Sequence, residues 1–295
     1  MAVLQYEIWD VFTDTIFSGN QLAVIMDANN LTTEQMQAIT REFNYAESTF
    51  VMTPEEAAHT ARVRIFTPGY EMPFAGHPTV GTALAIARAK GLDHSVTLEL
   101  NAGIFPVDVR LSKGSYWAQF KNPNLPVERQ NAPCAAAIEA ALTLPIGSVD
   151  TGAHKVRRVG AGVDFIYARA RLDVVRAATL HHTNFEVLAI EGVVGVLLYA
   201  EGGNAPDADY HVRMFAPGAD VDEDAATGSA AAGLPGQIAA SSSLGTGSHE
   251  WVIEQGVEMG RPSRIEVIVE TNNDHVTDVQ IGGHAVPVMR GEITV

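Results

Sequence analysis

Cysteine is nearly absent: Cys134 is the only one in 295 residues. One thiol cannot close a disulfide within the chain, build a multi-cysteine zinc site, or form a two-thiol acid/base pair. Basic residues are scarce as well, with 19 Lys plus Arg against 35 Asp plus Glu and a formal net charge of −16. No basic run exceeds Arg157-Arg158, so nothing offsets the repulsion of a phosphate backbone, and no nucleic-acid partner is expected. Long apolar runs are missing too. The longest, Val193 to Ala200, falls far short of a membrane span, so no membrane partner is expected. The first ten residues lack a basic segment and already contain Glu7 and Asp10, unlike a signal peptide, which leads us to expect a cytoplasmic location.

Familiar cofactor and nucleophile signatures are absent. Gly160-Ala-Gly162 lacks the third glycine of a dinucleotide fingerprint, and no Gly-x4-Gly-Lys-Ser/Thr occurs. The Gly-x-Ser-x-Gly of a serine-hydrolase elbow does not occur either. His181-His182 has no companion at metal-ligand spacing and reads as a solvated loop pair. Neither a metal nor an organic cofactor is therefore expected.

What is present is an ordinary globular composition, 46% hydrophobic and 18% charged, in a chain long enough to bury roughly three quarters of its surface. β-forming runs occur at 3–12, 21–26, 48–52, 62–66, 96–100, 107–111 and 116–120. Between them Thr32 or Thr33 caps a helix to Phe43, where Asn44 suits a left-handed stop, and Pro78 opens an Ala-rich helix that Gly91 ends. After an Asn122-Pro-Asn-Leu-Pro126 crossover, strands are expected at 156–159, 165–170, 193–200, 211–215, 251–254, 265–270, 275–281 and 292–295. Helices are expected at about 184–190 and from Thr227. Strands grouped around few helices predict an α+β fold.

The two halves repeat. Arg64-Ile-Phe-Thr-Pro-Gly69 matches Arg213-Met-Phe-Ala-Pro-Gly218 at a spacing of 149 (213 − 64). Each copy then leads through a polar residue and a glycine into a small-residue helix. We read His77 and Asp224, 147 apart (224 − 77), as equivalent across a two-residue deletion. An internal duplication is the natural inference: an N-terminal lobe over 1–125, completed by a strand at 283–295, and a C-terminal lobe over 126–282. A site between such lobes is expected, since pockets favour domain interfaces.

Three segments can carry chemistry. In Phe74-Ala-Gly76-His77-Pro78 the proline puts His77 beside a helix start, where unpaired N–H groups attract anions and the ring can exchange a proton near neutrality. A histidine that merely caps its helix fits the pattern equally well. In Asp222-Glu-Asp224-Ala-Ala-Thr227-Gly228-Ser229 small residues admit a ligand to the helix start, and Asp224, Thr227 and Ser229 offer a carboxylate and two hydroxyls. An acidic N-cap on a solvent-facing helix is the plainer explanation. Glu47, in the link after Asn44, lies among Phe43, Phe50 and Val51, where partial desolvation would make it a better base. An exposed loop glutamate is the commoner fate.

Taken in order, Asn44-Tyr-Ala-Glu47-Ser-Thr-Phe-Val51, Arg64-Ile-Phe-Thr-Pro68 with Pro73-Phe-Ala-Gly-His-Pro-Thr79, Glu223-Asp-Ala-Ala-Thr-Gly-Ser229 and Gln255-Gly256 with Met259-Gly-Arg-Pro-Ser263 resemble the PhzF-like phenazine biosynthesis isomerases. The resemblance spans almost the whole chain. It implies the diaminopimelate epimerase-like fold, two lobes that each curl a sheet around a central helix, with the site in their cleft. It also implies cofactor-free proton transfer on a small anionic substrate, as in the isomerisation of trans-2,3-dihydro-3-hydroxyanthranilate, and a homodimer. By the same resemblance Glu47, His77 and Asp224 are catalytic, and Gly76, Thr227, Gly228 and Ser229 bind substrate. Two positions depart from the family pattern: Ala46 replaces the usual Ser before the glutamate, and Ala225 the usual Pro after the aspartate. The paired-cysteine mechanism of related epimerases is excluded by the lone Cys134. A non-catalytic binding paralogue is the rival reading.

Overall fold

Strands rich in β-branched and aromatic residues are the commonest regular element of this chain. The structure is a computed structural model that describes residues 3–112, 114–217 and 221–295. Gly218, which closes the second copy of the repeated hexapeptide, lies outside the described residues. The fold is mixed α+β, strand-rich with few helices. The chain divides into two compact units, residues 1–121 with 282–295, and residues 122–281.

The first unit contains β1 (Val3–Val11), β2 (Asn20–Ile25), α1 (Thr33–Phe43), β3 (Glu47–Met52), β4 (Ala61–Phe66), β5 (Glu71–Met72), α2 (Gly76–Lys90), β6 (Ser95–Leu100), β7 (Gly103–Ser112) and β8 (Ser115–Lys121). Thr32 caps α1 through a reciprocal capping box with Gln35, and Asn44 ends it in the left-handed conformation at φ 53°. Strands β1 and β2 are antiparallel, β2 and β3 parallel, β3 and β4 antiparallel. One end of β4 pairs with β5, the other runs parallel to β6, and β7 and β8 follow antiparallel.

Helix α2 packs against β1, β2, β3, β6, β7 and β8. Every residue from Gly76 to Ala87 is buried, as a helix enclosed by a sheet must be when it is apolar on all sides. Its start differs from expectation. The helix begins two residues before Pro78, with Ala75 as N-cap, so His77 lies inside the first turn.

The second unit contains β9 (Val127–Arg129), α3 (Ala135–Ala141), β10 (Arg157–Gly160), β11 (Asp164–Arg169), α4 (Leu172–Ala177), α5 (His182–Phe185), β12 (Val193–Glu201), β13 (Tyr210–Ala216), β14 (Val221–Asp224), α6 (Gly228–Ala239), β15 (Gly247–Gln255) and β16 (Ser263–Asn272). Its pairings follow the same plan: β10 antiparallel to β11, β11 parallel to β12, β12 antiparallel to β13. β13 likewise meets β14 at one end and runs parallel to β15 at the other. Buried α6 packs against β9, β10, β11 and β16.

Two expectations fail here. The helix expected at 184–190 is a single turn, α5, followed by a 3-10 turn at Glu186–Leu188, and α4 had not been foreseen. Short helices of this kind depend on tertiary packing, which single-segment propensity does not report. The strands expected separately at 275–281 and 292–295 are one continuous strand, β17 (His275–Thr294). Its later part pairs antiparallel with β1, from Val11↔Ala285 to Val3↔Thr294. Gly282 and Gly283 interrupt the run of β-forming residues at that point.

Gly256, just after β15, shows how closely the backbone is fitted. Its φ is +73°, and a Cβ there would stand 2.5 Å from the Arg261 carbonyl oxygen and 2.6 Å from that of Ala225. Neither backbone atom can rotate away. Gly256→Ala should lower stability by about 2–4 kcal/mol, combining the left-handed penalty with overpacking. Urea unfolding of variant and wild type measures it, and a loss under about 0.5 kcal/mol would show that the loop accommodates the methyl group.

Candidate active site

In the first unit the parallel β2–β3 pairing brings the starts of two strands together. Glu47 is the first residue of β3 and lies opposite Leu22. Thr49, two residues on, hydrogen-bonds the Thr82 hydroxyl of α2 at 2.8 Å, which fixes the strand start near the helix start. The Glu47 side chain is 15% exposed, and its Oε2 stands 3.5 Å from Nε2 of the buried His77. That separation suits an ion pair, but Nε2 forms no hydrogen bond in this arrangement. The other ring nitrogen, Nδ1, meets the Asn20 side-chain amide at 3.3 Å. Asn20 is buried and opens β2 directly after Gly19, whose φ of +67° places a would-be Cβ 2.4 Å from the Val11 carbonyl oxygen.

The first turn of α2 leaves the amides of Gly76 and His77 without an intrahelical acceptor, while Pro78 carries none. No side chain caps this end. Burial pushes the His77 imidazole down to about 3, against a smaller opposing effect of a hydrogen bond with the Gln21 backbone. The ring is therefore neutral at ordinary pH.

In the second unit Asp224 ends β14 and Thr227 stands at the N-cap position of α6 without a side-chain capping bond. The Thr227 hydroxyl donates to Asp224 Oδ2 at 2.6 Å. Gln255, itself buried, donates from Nε2 to the Asp224 carbonyl oxygen at 2.7 Å and accepts from the Thr227 amide at 3.1 Å. Gly228 and Ser229 form the first two positions of α6.

The equivalence of His77 with Asp224 does not survive. Phe66 pairs with Glu71 and Ile65 with Met72 in the first unit, while Phe215 pairs with Glu223 and Met214 with Asp224 in the second. The counterpart of Asp224 is thus Met72, at a spacing of 152 (224 − 72), and the helix starts Gly76-His77 and Gly228-Ser229 share that spacing. His77 corresponds to Ser229. The link between strand and turn gained three residues, where two had been read as lost. Glu47, next to the Ser48↔Phe66 pair, corresponds to Gly195, next to Val196↔Phe215.

Each unit thus brings its own predicted residues together: Glu47 with His77, and Asp224 with Thr227, Gly228 and Ser229. Two residues of these clusters were missed. Asn20 stands in none of the motifs quoted above, and Gln255 stands in one without a role. Among the described residues no group of three or more His, Cys, Asp or Glu side chains could hold a metal ion. No described helix is long and apolar enough to cross a membrane. His181 and His182 are exposed as expected, although His181 accepts from the Asn184 amide and His182 lies 3.4 Å from Asp222.

The buried neutral histidine has a measurable consequence. In the unfolded chain His77 gains a proton below about pH 6.5, whereas in the folded chain it resists protonation down to about pH 3. Its contribution is complete above pH 6.5 and is lost on acidification. It should cost about 3 kcal/mol between pH 7 and pH 4.5. Urea unfolding across that range should show His77→Gln with a correspondingly flatter dependence, and parallel curves for the two proteins would refute the assignment.

The family model for "Phenazine biosynthesis-like protein" matches residues 9–291. An uncharacterized isomerase of Mesorhizobium japonicum is 38% identical over 99% of both chains. The trans-2,3-dihydro-3-hydroxyanthranilate isomerase of Pseudomonas fluorescens is 35% identical over 98% of both. Among solved structures, a PhzF-family phenazine biosynthesis protein from Bacillus anthracis superposes with a TM-score of 0.88 at 25% identity, covering both chains completely. A hydroxyproline epimerase from Agrobacterium vitis shares the fold, with a TM-score of 0.62 at 12% identity over 99% of this chain and 91% of its own. Matched end to end by relatives named as isomerases, which sets the non-catalytic reading aside, this chain belongs to the phenazine biosynthesis-like PhzF family and is one of its isomerases.

Proposed function

We propose that this isomerase moves a proton within a small carboxylate substrate by general acid/base catalysis, without metal or organic cofactor, and that Glu47 takes and returns the proton. The observation that supports it most is Glu47 Oε2 at 3.5 Å from a buried, neutral His77. A neutral ring places no positive charge beside the carboxyl, so it does not lock Glu47 as a carboxylate the way an imidazolium would. A group that must hold the proton and then give it back needs that freedom. His77, oriented by Asn20, would orient the carboxyl or pass the proton on. The orphan amides of Gly76 and His77 would receive the substrate's negative charge as it develops.

In the second unit Asp224 is held by Thr227, and its backbone by Gln255, which fits a carboxylate that must keep one direction to bind substrate. Thr227, Gly228 and Ser229 would add hydroxyl and amide donors at the start of α6. The duplicated plan gives each unit a helix start but only one of them a Glu47. One base for both halves of a proton transfer suits a move that takes and delivers the proton on the same face.

For the substrate, the relatives named as trans-2,3-dihydro-3-hydroxyanthranilate isomerases make an unsaturated cyclic amino acid the first choice. Ala46 removes a hydroxyl next to Glu47 and Ala225 changes the backbone next to Asp224, so a panel varying the ring substituents belongs in the test. Incubation in D2O should place deuterium on the product carbon. Glu47→Gln keeps the shape and should lower turnover by about 10³-fold or more while leaving the unfolding curve unchanged. Turnover within a few-fold of wild type would refute the role of Glu47. Activity should survive exhaustive chelation; activity lost and then restored by one metal ion would refute the cofactor-free mechanism.

A further inference from the structure

The second unit holds a buried ionic cluster that neither the fold nor the proposed reaction has used. His211, in β13, is fully buried between two carboxylates. Its Nδ1 lies 2.6 Å from Glu254 Oε2 and its Nε2 3.0 Å from Glu258 Oε1. A neutral imidazole carries one N–H and could satisfy only one of them, so carboxylates at both nitrogens require the doubly protonated ring. We propose that His211 is a positioning residue whose imidazolium latches the 256–262 loop through Glu258 and so holds Asp224 and Thr227 in place.

The connection can be followed through named contacts. Glu254 is anchored independently of the ring, since it also accepts the amides of Asn204 and Ala205, both at 2.9 Å. Glu258 is not. It stands in the turn at 256–262, with its side chain 17% exposed, and its nearest other cation is Arg213, whose Nε is 3.9 Å away. Arg213 is itself occupied by a two-pronged pair with Glu223, at 2.8 and 2.7 Å. The ring is thus the main tether of that turn to β13. The turn begins at Gly256, whose backbone abuts Ala225, and follows Gln255, which bonds both Asp224 and Thr227.

Three carboxylates, Glu223, Glu254 and Glu258, face two cations, His211 and Arg213. With the imidazolium the cluster carries one excess negative charge; without its proton it carries two, in a buried place where charge repulsion is strong. Burial pushes the ring down, but the bonds from Glu258 and Glu254 outweigh it and raise it above the usual histidine range. Burial likewise pushes both carboxyls up, and the bonds they accept bring them below the usual range. The latch is therefore complete below the ordinary histidine pKa and opens as pH rises through the raised one.

The first unit has a related frame with an arginine in the histidine's place, and there Glu99 meets His59 Nδ1, from the preceding turn, at 2.8 Å. Arg62 stands where His211 stands, at a spacing of 149 (211 − 62), across from Glu99 as His211 is across from Glu254. Glu99 accepts the amides of Glu55 and Glu56, as Glu254 accepts those of Asn204 and Ala205. An arginine cannot lose its proton in this range. At that strand position only the second unit carries a group that titrates near neutrality.

The consequence for catalysis rests on the role proposed for Asp224. The latch does not, and its test needs no substrate. Ring ¹⁵N NMR should show His211 doubly protonated at pH 7 and titrating above the exposed histidines. Hydrogen exchange should show protection across 224–229 and 255–262 falling about tenfold or more in His211→Gln and in Glu258→Gln, with first-unit peptides unchanged. Wild type should lose the same protection, after correction for intrinsic exchange, as pH rises through the ring's titration. A singly protonated ring at pH 7, or protection that stays constant through its titration, would overturn the proposal. So would full protection in Glu258→Gln. The wild-type series needs no variant, so a His211→Gln chain that fails to fold leaves the test intact.

Discussion

A helix buried along its whole length has to place its polar ends somewhere, and that constraint shapes this protein. Helix α2 is buried on every side from Gly76 to Ala87 and is enclosed by strands of its own unit. Its interior bonds satisfy themselves, but the amides of its first turn cannot. Ala75 offers no capping side chain. The chain instead brings Glu47 and His77 to that end, fixed by the Thr49–Thr82 bond and by Asn20. A helix start left uncapped forgoes stability, and it keeps donors available to a ligand.

The same architecture occurs twice, and the ionic pairs show it better than the residues do. Arg64 clamps Glu71 in the first unit as Arg213 clamps Glu223 in the second, each pair tying a strand to the short strand beside it. Each arginine also lies over the phenylalanine two residues on, at 5.1 and 4.9 Å. Residues nearer the helix starts have diverged. Glu47 faces no carboxylate counterpart but Gly195, and His77 corresponds to Ser229. Frame residues constrained by packing stayed alike, while positions at the helix starts took on different chemistry in each unit.

Much of this was legible in the sequence. The α+β class, the stop at Asn44 and the two central helices follow from local pattern, because each depends on residues close together in the chain; the pairing of Glu47 with His77, 30 residues apart, was implied only by the family resemblance. The register of the repeat did not. Matching polar residue to polar residue paired His77 with Asp224, whereas strand pairing through Phe66 and Phe215 pairs Asp224 with Met72. Side-chain polarity misled because the units diverged where chemistry matters. Asn20 and Gln255 stayed hidden for another reason: a buried amide that positions a neighbour is indistinguishable, in one sequence, from an amide at a turn or a strand end.

Strand β17 bears on how this chain comes to be folded. Its later part lies beside β1, with Val3 opposite Thr294, so β1 is completed by a strand made nearly 300 residues after it. The second unit, residues 122–281, is contiguous and needs no residue made after its own last strand. The first unit begins sooner and finishes afterwards, and until residues 282–295 arrive β1 presents an open edge to the cell. A contact of such sequence separation is slow to form. The unit that carries Glu47 and His77 is therefore the one most dependent on protection during its own birth.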